Sequence, residues 1–204
     1  MKISASFLSS NYNLEDTIKY LDNSSIDFIH VDFMDNTFVP YESLSLKDLE
    51  VLKKSKKDLD VHLMVNNPLK YLSFFSKLNT KYLTFHYEAV NNHLEIIDKI
   101  KKANIKVGIA INPETAVNVL NPYLDLIDLV LIMSVEPGRG GQQFISNIPT
   151  TIDELRKLDK KILISVDGGI NKDTIKLVNT DIVVVGSYIC KSNNFEERIN
   201  SLRS

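Results

Sequence analysis

Two histidines and two aspartates stand at the ends of three apolar runs, and their types and spacing suit metal-assisted proton transfer. In His30-Val31-Asp32-Phe33-Met34-Asp35 an imidazole and a carboxylate sit at positions i and i+2, which places both on one face of a strand. The run Leu59-Asp60-Val61-His62-Leu63-Met64 carries a histidine in the matching place, and Ile162-Leu163-Ile164-Ser165-Val166-Asp167 ends in an acid. If these ends meet, His30, Asp32, His62 and Asp167 offer two imidazoles and two carboxylates. One divalent ion would suit them, Zn2+ first and Fe2+, Mn2+ or Co2+ as alternatives, whereas Ca2+ and Mg2+ favour all-oxygen sets. Each residue alone reads as an ordinary polar strand end, and the coincidence points to a metal. Of only four histidines, His30, His62 and His86 end predicted strands. His86, with Glu88 two residues on, reads either as a supporting pair or as a plain strand end, and His93 reads as surface. Met34, Met64 and Met133 occupy equivalent strand-end positions, where they either line the same cavity or belong to the core.

These residues need elements to bring them together. Strands are predicted at 3–8, at the runs holding His30 and His62, and at 81–86, 105–110, 126–133, 161–166 and 181–185. Helical patterns fall between them: one opened by Asn13, one at 46–55, one beginning at Pro68, then 91–102, 114–120, 147–158, 171–178 and 195–202. Asn13 is a capping residue followed by Glu15 and Asp16, which complement the positive end of a helix. In 91–102, Leu94, Ile97 and Ile100 are expected on one side. Several strands are continuously apolar, as a parallel sheet covered on both faces requires. Eight such units over residues 1–204 predict a single-domain TIM (β/α)8 barrel rather than an open doubly wound sheet. A barrel of this kind gathers its chemistry at the carboxyl ends of the strands, where His30, Asp32, His62, His86 and Asp167 fall.

Composition narrows the function class. Lys and Arg number 24 against 26 Asp and Glu, a net charge of -2, with no cationic stripe for a nucleic-acid backbone or an anionic membrane. No run of about 18 apolar residues suggests a membrane span, and residues 1–4 lead straight into a strand. A soluble, cytoplasmic protein is expected. The single cysteine, Cys190, excludes an internal disulfide and reads as a small buried hydrophobe. The outer helices of a barrel could support a homo-oligomer.

Three glycine-bearing turns follow the late strands: Pro137-Gly138-Arg139-Gly140-Gly141-Gln142, Asp167-Gly168-Gly169 and Gly186-Ser187. Glycines allow close approach of backbone amides to an oxyanion, and this corner of a barrel commonly holds a phosphate. No P-loop or dinucleotide motif is present, so the phosphate is expected on a small substrate.

Together these residues resemble the ribulose-phosphate 3-epimerase family over nearly the whole chain. The resemblance is carried by Ser4-Ala5-Ser6-Phe7-Leu8-Ser9, His30-Val31-Asp32-Phe33-Met34-Asp35, Phe38-Val39-Pro40 and Asp60-Val61-His62-Leu63-Met64. It continues through Met133-Ser134-Val135-Glu136-Pro137-Gly138, Gly140-Gly141-Gln142, Val166-Asp167-Gly168-Gly169-Ile170 and Gly186-Ser187. It implies a TIM barrel that interconverts D-ribulose 5-phosphate and D-xylulose 5-phosphate with one divalent metal. His30, Asp32, His62 and Asp167 then look like metal ligands, with Asp32 and Asp167 also the acid/base carboxylates. Ser6, His62, Met34, Met64 and Met133 look like substrate neighbours. Gly138, Arg139, Gly140, Gly141, Gly168, Gly169, Gly186 and Ser187 look like the substrate and phosphate surface.

The chemistry agrees with the resemblance, because inverting a carbon beside a ketone needs a proton removed on one face and another delivered on the opposite face. The chain departs from the family pattern at Glu136 and Arg139, where Asn and Phe are usual, at Asn36-Thr37 in place of Gly-His, and at Tyr41 in place of Asn. Asn36 fits a position of positive φ. Arg139 either reaches the phosphate or pairs with Glu136. The competing readings are a 3-epimerase of a hexulose phosphate such as D-allulose 6-phosphate, an aldolase-like synthase or decarboxylase, and a sugar-phosphate sensor. The synthase or decarboxylase would favour a lysine at a strand end, and none is there. The sensor has no use for two buried carboxylates.

Overall fold

Each apolar run forms a strand, and the strands close on themselves. A computed structural model describes residues 1–159 and 161–203. Its strands are β1 (Lys2–Ser6), β2 (Phe28–Met34), β3 (Asp58–Met64), β4 (Thr80–His86), β5 (Lys106–Ile111), β6 (Leu129–Met133), β7 (Leu163–Asp167) and β8 (Ile182–Val185). They pair in parallel in sequence order, and β8 pairs with β1, giving a closed eight-stranded barrel. The protein is therefore a single-domain TIM barrel, as its strand pattern predicts.

Side-chain alternation divides each strand between two environments. Ile29, Val31 and Phe33 of β2 and Leu59, Val61 and Leu63 of β3 face outward into the main apolar core with the helices. Inside the barrel, Phe28, Tyr82, Leu129 and Ile182 form an apolar floor, one residue from each even-numbered strand, the layering typical of this architecture. Stepping up β2 by two residues from Phe28 reaches His30, then Asp32, then Met34. The floor thus sets the parity that puts His30, Asp32 and Met34 in the interior.

The helices are α1 (Leu14–Asp22), α2 (Leu69–Phe75), α3 (His93–Lys102), α4 (Ile148–Leu158), α5 (Ser187–Cys190) and α6 (Phe195–Arg203). Asn13 caps α1 as expected, its Oδ1 accepting from the Asp16 N–H at 2.9 Å. Three predicted helices are instead 3₁₀ segments, at Asp48–Lys54, Val117–Leu120 and Thr174–Leu177. Each holds or adjoins a pair of buried residues three apart, Leu49 with Leu52, Val117 with Leu120, and Ile175 with Val178 just past the last segment, a spacing that suits a 3₁₀ turn and an α-helix alike. In α3 the buried face is His93, Ile96, Ile97 and Ile100, while Leu94 is 60% exposed. His93 is thus not a surface residue: it stacks between Tyr87 and Tyr123 and its Nε2 lies 2.9 Å from the Tyr87 carbonyl. Strand β6 begins at Leu129, because 124–126 form a 3₁₀ turn. Cys190 is fully buried in the outer core, and burial pushes its thiol up to about 12. Among the described residues no helix is long and apolar enough to cross a membrane.

Candidate active site

Strand register assembles the site. Asp32 is the cross-strand partner of His62, His30 of Asp60, Ser6 of His30, and Met133 of Asp167. One donor atom from each of His30, Asp32, His62 and Asp167 lies within 4.8 Å of the others. Asp32 Oδ1 is 3.3 Å from His30 Nε2 and 3.2 Å from His62 Nδ1. Asp167 Oδ2 is 4.0 Å from His30 Nε2 and 3.9 Å from His62 Nδ1. A tetrahedral ion with bonds of about 2.0–2.1 Å spaces its ligands about 3.3 Å apart, so the cluster needs only small shifts to close on one.

The surrounding bonds say which nitrogens are available. Asp60, buried in the barrel, accepts through Oδ2 from Ser4 Oγ at 2.8 Å and lies 2.8 Å from His30 Nδ1. The His30 proton therefore sits on Nδ1. Its Nε2 is buried, has no hydrogen-bond partner and is directed into the cluster, where the neutral ring would offer it as a ligand. A buried polar nitrogen left unpaired is costly, and a cation bound to the neutral ring would satisfy it together with both carboxylates. The donor set fits a divalent metal. His62 uses its other nitrogen on His86, with the two Nε2 atoms 2.8 Å apart, and His86 Nδ1 lies 3.3 Å from Glu88 Oε2. Of the two readings of His86, the pairing with Glu88 is the one present, and it joins directly to His62.

The two carboxylates have unlike environments. Burial and the neighbouring Asp32 charge push Asp167 up to about 7. Burial acts the same way on Asp32, but the His30 imidazole beside it outweighs burial and holds that carboxyl well below the usual range. Ser6 Oγ also donates to Asp32 Oδ2 at 2.7 Å. Burial lowers His62, and it lowers His86 to about 4. Burial would lower His30 too, yet Asp32 and Asp60 raise it well above its ordinary value.

A cleft opens above this cluster. Its walls include Ser6, Asp32, Met64, Met133 and Asp167 on one side of the site and Gly138, Arg139, Gly140, Gly141, Gly168, Gly169, Gly186 and Ser187 around the rim. His30 and His62 are fully buried beneath it. Met34 packs with Met64 and Val39 and is not part of the cleft wall. Close packing explains two of the glycines: a Cβ on Gly168 would strike Val135, and one on Gly169 would lie 2.6 Å from the Phe144 backbone nitrogen, both at positive φ. Asn36 adopts φ 59°, as its side chain permits. Arg139 lies over the Tyr41 ring, 5.5 Å from its centroid, and among the described residues no ion pair joins it to Glu136. Gln142 Nε2 instead holds the loop, donating to the Glu136 and Arg139 carbonyls at 2.6 and 2.8 Å.

Asp60 is the residue that reading the sequence left without a role. Its parity with His62 was visible, as was the oddity of a charge inside a strand, but its contact with His30 depends on register between two strands.

The match to the ribulose-phosphate 3 epimerase family covers residues 2–190. The chain belongs to that family. It is 35% identical to the ribulose-phosphate 3-epimerase of Bacillus subtilis (strain 168), over 100% of this chain and 98% of that protein. It is 41% identical to the protein of the same name from Buchnera aphidicola subsp. Baizongia pistaciae, over 98% and 93%. As a family member it is an enzyme of the isomerase class. Solved structures with the same fold include KGPDC from Streptococcus mutans, at 14% identity, a TM-score of 0.73, and 99% and 95% coverage. Another is 3-hexulose-6-phosphate synthase from Salmonella typhimurium, at 17% identity, a TM-score of 0.73, and 99% and 96% coverage. At such identities these two speak for the barrel alone.

Proposed function

We propose that this epimerase interconverts D-ribulose 5-phosphate and D-xylulose 5-phosphate by two-base proton transfer at C3, with one divalent cation held by His30, Asp32, His62 and Asp167. The observation that carries the reading is the buried His30 Nε2, partnerless and directed at two carboxylates within 4.0 Å. Zn2+ is the ion the ligand types favour, with Fe2+, Mn2+ and Co2+ as the alternatives. When bound, such an ion supplies Lewis acidity toward the ketose oxygens.

The chain's own groups do the rest. Asp32, kept ionised, is the acceptor for the C3 proton, and Asp167, whose burial raises its proton affinity in the cation-free site, is the donor on the other face. In the reverse reaction the two exchange roles. A pair of carboxyls pushed apart in this way is what acid/base assignment requires. Ser6 orients Asp32 through its hydrogen bond. Met64 and Met133 border the planar enediolate without offering it a competing proton. The glycine turns of β6, β7 and β8 take the phosphate through backbone amides, and the loop 136–142 excludes water.

The test is incubation with ribulose 5-phosphate in deuterium oxide, with and without a chelator, following the C3 proton and xylulose 5-phosphate by NMR. Chelator-sensitive exchange with inversion, lost in Asp32→Asn and Asp167→Asn, is the expected result. Exchange without inversion would remove one of the two bases from the scheme. No exchange by metal-replete protein, with turnover of D-allulose 6-phosphate in its place, would move the substrate to a hexulose phosphate.

A further inference from the structure

The His62 imidazole presents Nδ1 to the cluster and turns Nε2 toward His86. For Nδ1 to offer a lone pair, the proton of the neutral ring must sit on Nε2. Nothing in His62 itself selects that tautomer, and the nearby Asp32 oxygen at 3.2 Å favours the opposite one. The selection has to come from behind.

Behind His62 runs a line of groups with little freedom. Glu88 Oε1 accepts from the Asn112 backbone N–H at 2.8 Å and from Thr115 Oγ1 at 2.5 Å. A backbone N–H is a donor only, so that oxygen must remain an acceptor. The other oxygen, Oε2, faces His86 Nδ1 at 3.3 Å. A carboxylate can only accept, which places the His86 proton on Nδ1. His86 Nε2 is then bare, and across 2.8 Å it can only receive a proton from His62 Nε2. His62 Nδ1 is left with its lone pair facing Asp32 and Asp167. Phe38, its ring tilted by 38° with its centroid 4.7 Å from that of the His86 ring, and complete burial keep water from supplying another partner.

We infer that Glu88, through His86, sets the tautomer in which His62 offers Nδ1 to the cluster. Both are positioning residues, acting on the site from the β4 end of the barrel. The inference rests on the proposed reading of the cluster as a cation site, but the tautomer itself can be read without a cation.

Glu88→Gln tests this more sharply than deletion does. Its carbonyl stays on the Asn112 N–H and its amide faces His86 Nδ1, which must then accept. The His86 proton moves to Nε2, His62 Nε2 becomes the acceptor, and the His62 proton moves to Nδ1, where it blocks the cluster. Glu88→Ala removes the same contacts without imposing the opposite order. Zn2+ affinity, measured by competition with a chromophoric chelator, is expected to fall tenfold or more in Glu88→Gln and less in Glu88→Ala. A purely structural role predicts the reverse ranking, because Glu88→Ala loses more contacts. Equal or greater loss in Glu88→Ala, or unchanged affinity in Glu88→Gln, overturns the inference. Long-range 1H–15N spectra of chelator-treated wild-type protein at pH 8 give the independent readout. His62 protonated at Nε2 supports the relay, and any other protonation state overturns it. If the wild-type protein fails to bind Zn2+, the reading of the cluster falls, while the spectra still decide the relay.

Discussion

Replacing Asp60 separates two ways in which a buried carboxylate supports an imidazole. Its Oδ2 takes both the Ser4 hydroxyl and the His30 Nδ1–H at 2.8 Å, and the residue is only 3% exposed. In Asp60→Asn the amide carbonyl can keep both bonds, so the packing and hydrogen-bond count survive and only the charge is lost. A hydrogen bond to a charged group contributes about 1.5–3 kcal/mol and a neutral one about 0.5–1.5. The difference, about 1–1.5 kcal/mol, corresponds to roughly tenfold weaker cation binding through a less basic His30. The same difference lowers the melting temperature by only about 2–6 °C. In Asp60→Ala two buried donors lose their acceptor, at about 1–3 kcal/mol each. The sum, about 2–6 kcal/mol, lowers Tm by about 4–24 °C at the 2–4 °C per kcal/mol usual for a chain of this size. Calorimetry gives Tm and chelator competition gives Zn2+ affinity. Wild-type affinity in Asp60→Asn, or wild-type Tm in Asp60→Ala, would refute the role assigned to Asp60.

Two further outcomes follow from the site. In chelator-treated protein, urea midpoints should fall as pH rises from 6.5 to 8: folded Asp167 keeps its proton to about 7, and folded His30 keeps its proton well above its ordinary range. The folded state therefore binds more protons than the unfolded one in this window. His62 and His86, both lowered, pull the other way up to about pH 7.5, where their unfolded imidazoles finish losing protons, and so flatten the slope most at its acid end. Excess Zn2+ should reverse the slope, since ligands bind it deprotonated; a midpoint rising with pH in the chelated protein would contradict the shifts. For the rim, Gly141→Ala and Gly169→Ala both put a side chain at positive φ, φ 77° and 62°, at a cost of about 1–2 kcal/mol. Only the second also displaces the Phe144 backbone. Gly169→Ala should melt lower and raise KM for the sugar phosphate, and equal melting of the two variants would count against the packing argument.

The barrel and most of its site were legible in the sequence because both depend on short-range order. Alternation over a few residues places His30 and Asp32 on one face of a strand, and continuous apolar runs separated by helical ones leave few topologies. The family resemblance, carried by residues at the same strand ends, added the reaction. Helix type was less legible: Leu49 and Leu52 stand three apart, as Ile18 and Leu21 do in α1, so the pattern does not separate a 3₁₀ turn from an α-helix. His93 was misplaced because the buried face of α3 starts one residue earlier than Leu94, and its aromatic neighbours Tyr87 and Tyr123 come from other segments.

What the tertiary structure alone decided are the contacts that pass between strands. Asp60 meets His30, and His86 meets His62, because closure of the barrel fixes which residues of adjacent strands stand side by side. Sequence spacing within one strand carries no information about register with the next. The placement of Arg139 over Tyr41 is of the same kind, joining two segments nearly a hundred residues apart. Local pattern brought out the residues proposed to hold a metal and move a proton, and the register between strands decided which nitrogen of each imidazole faces the cluster.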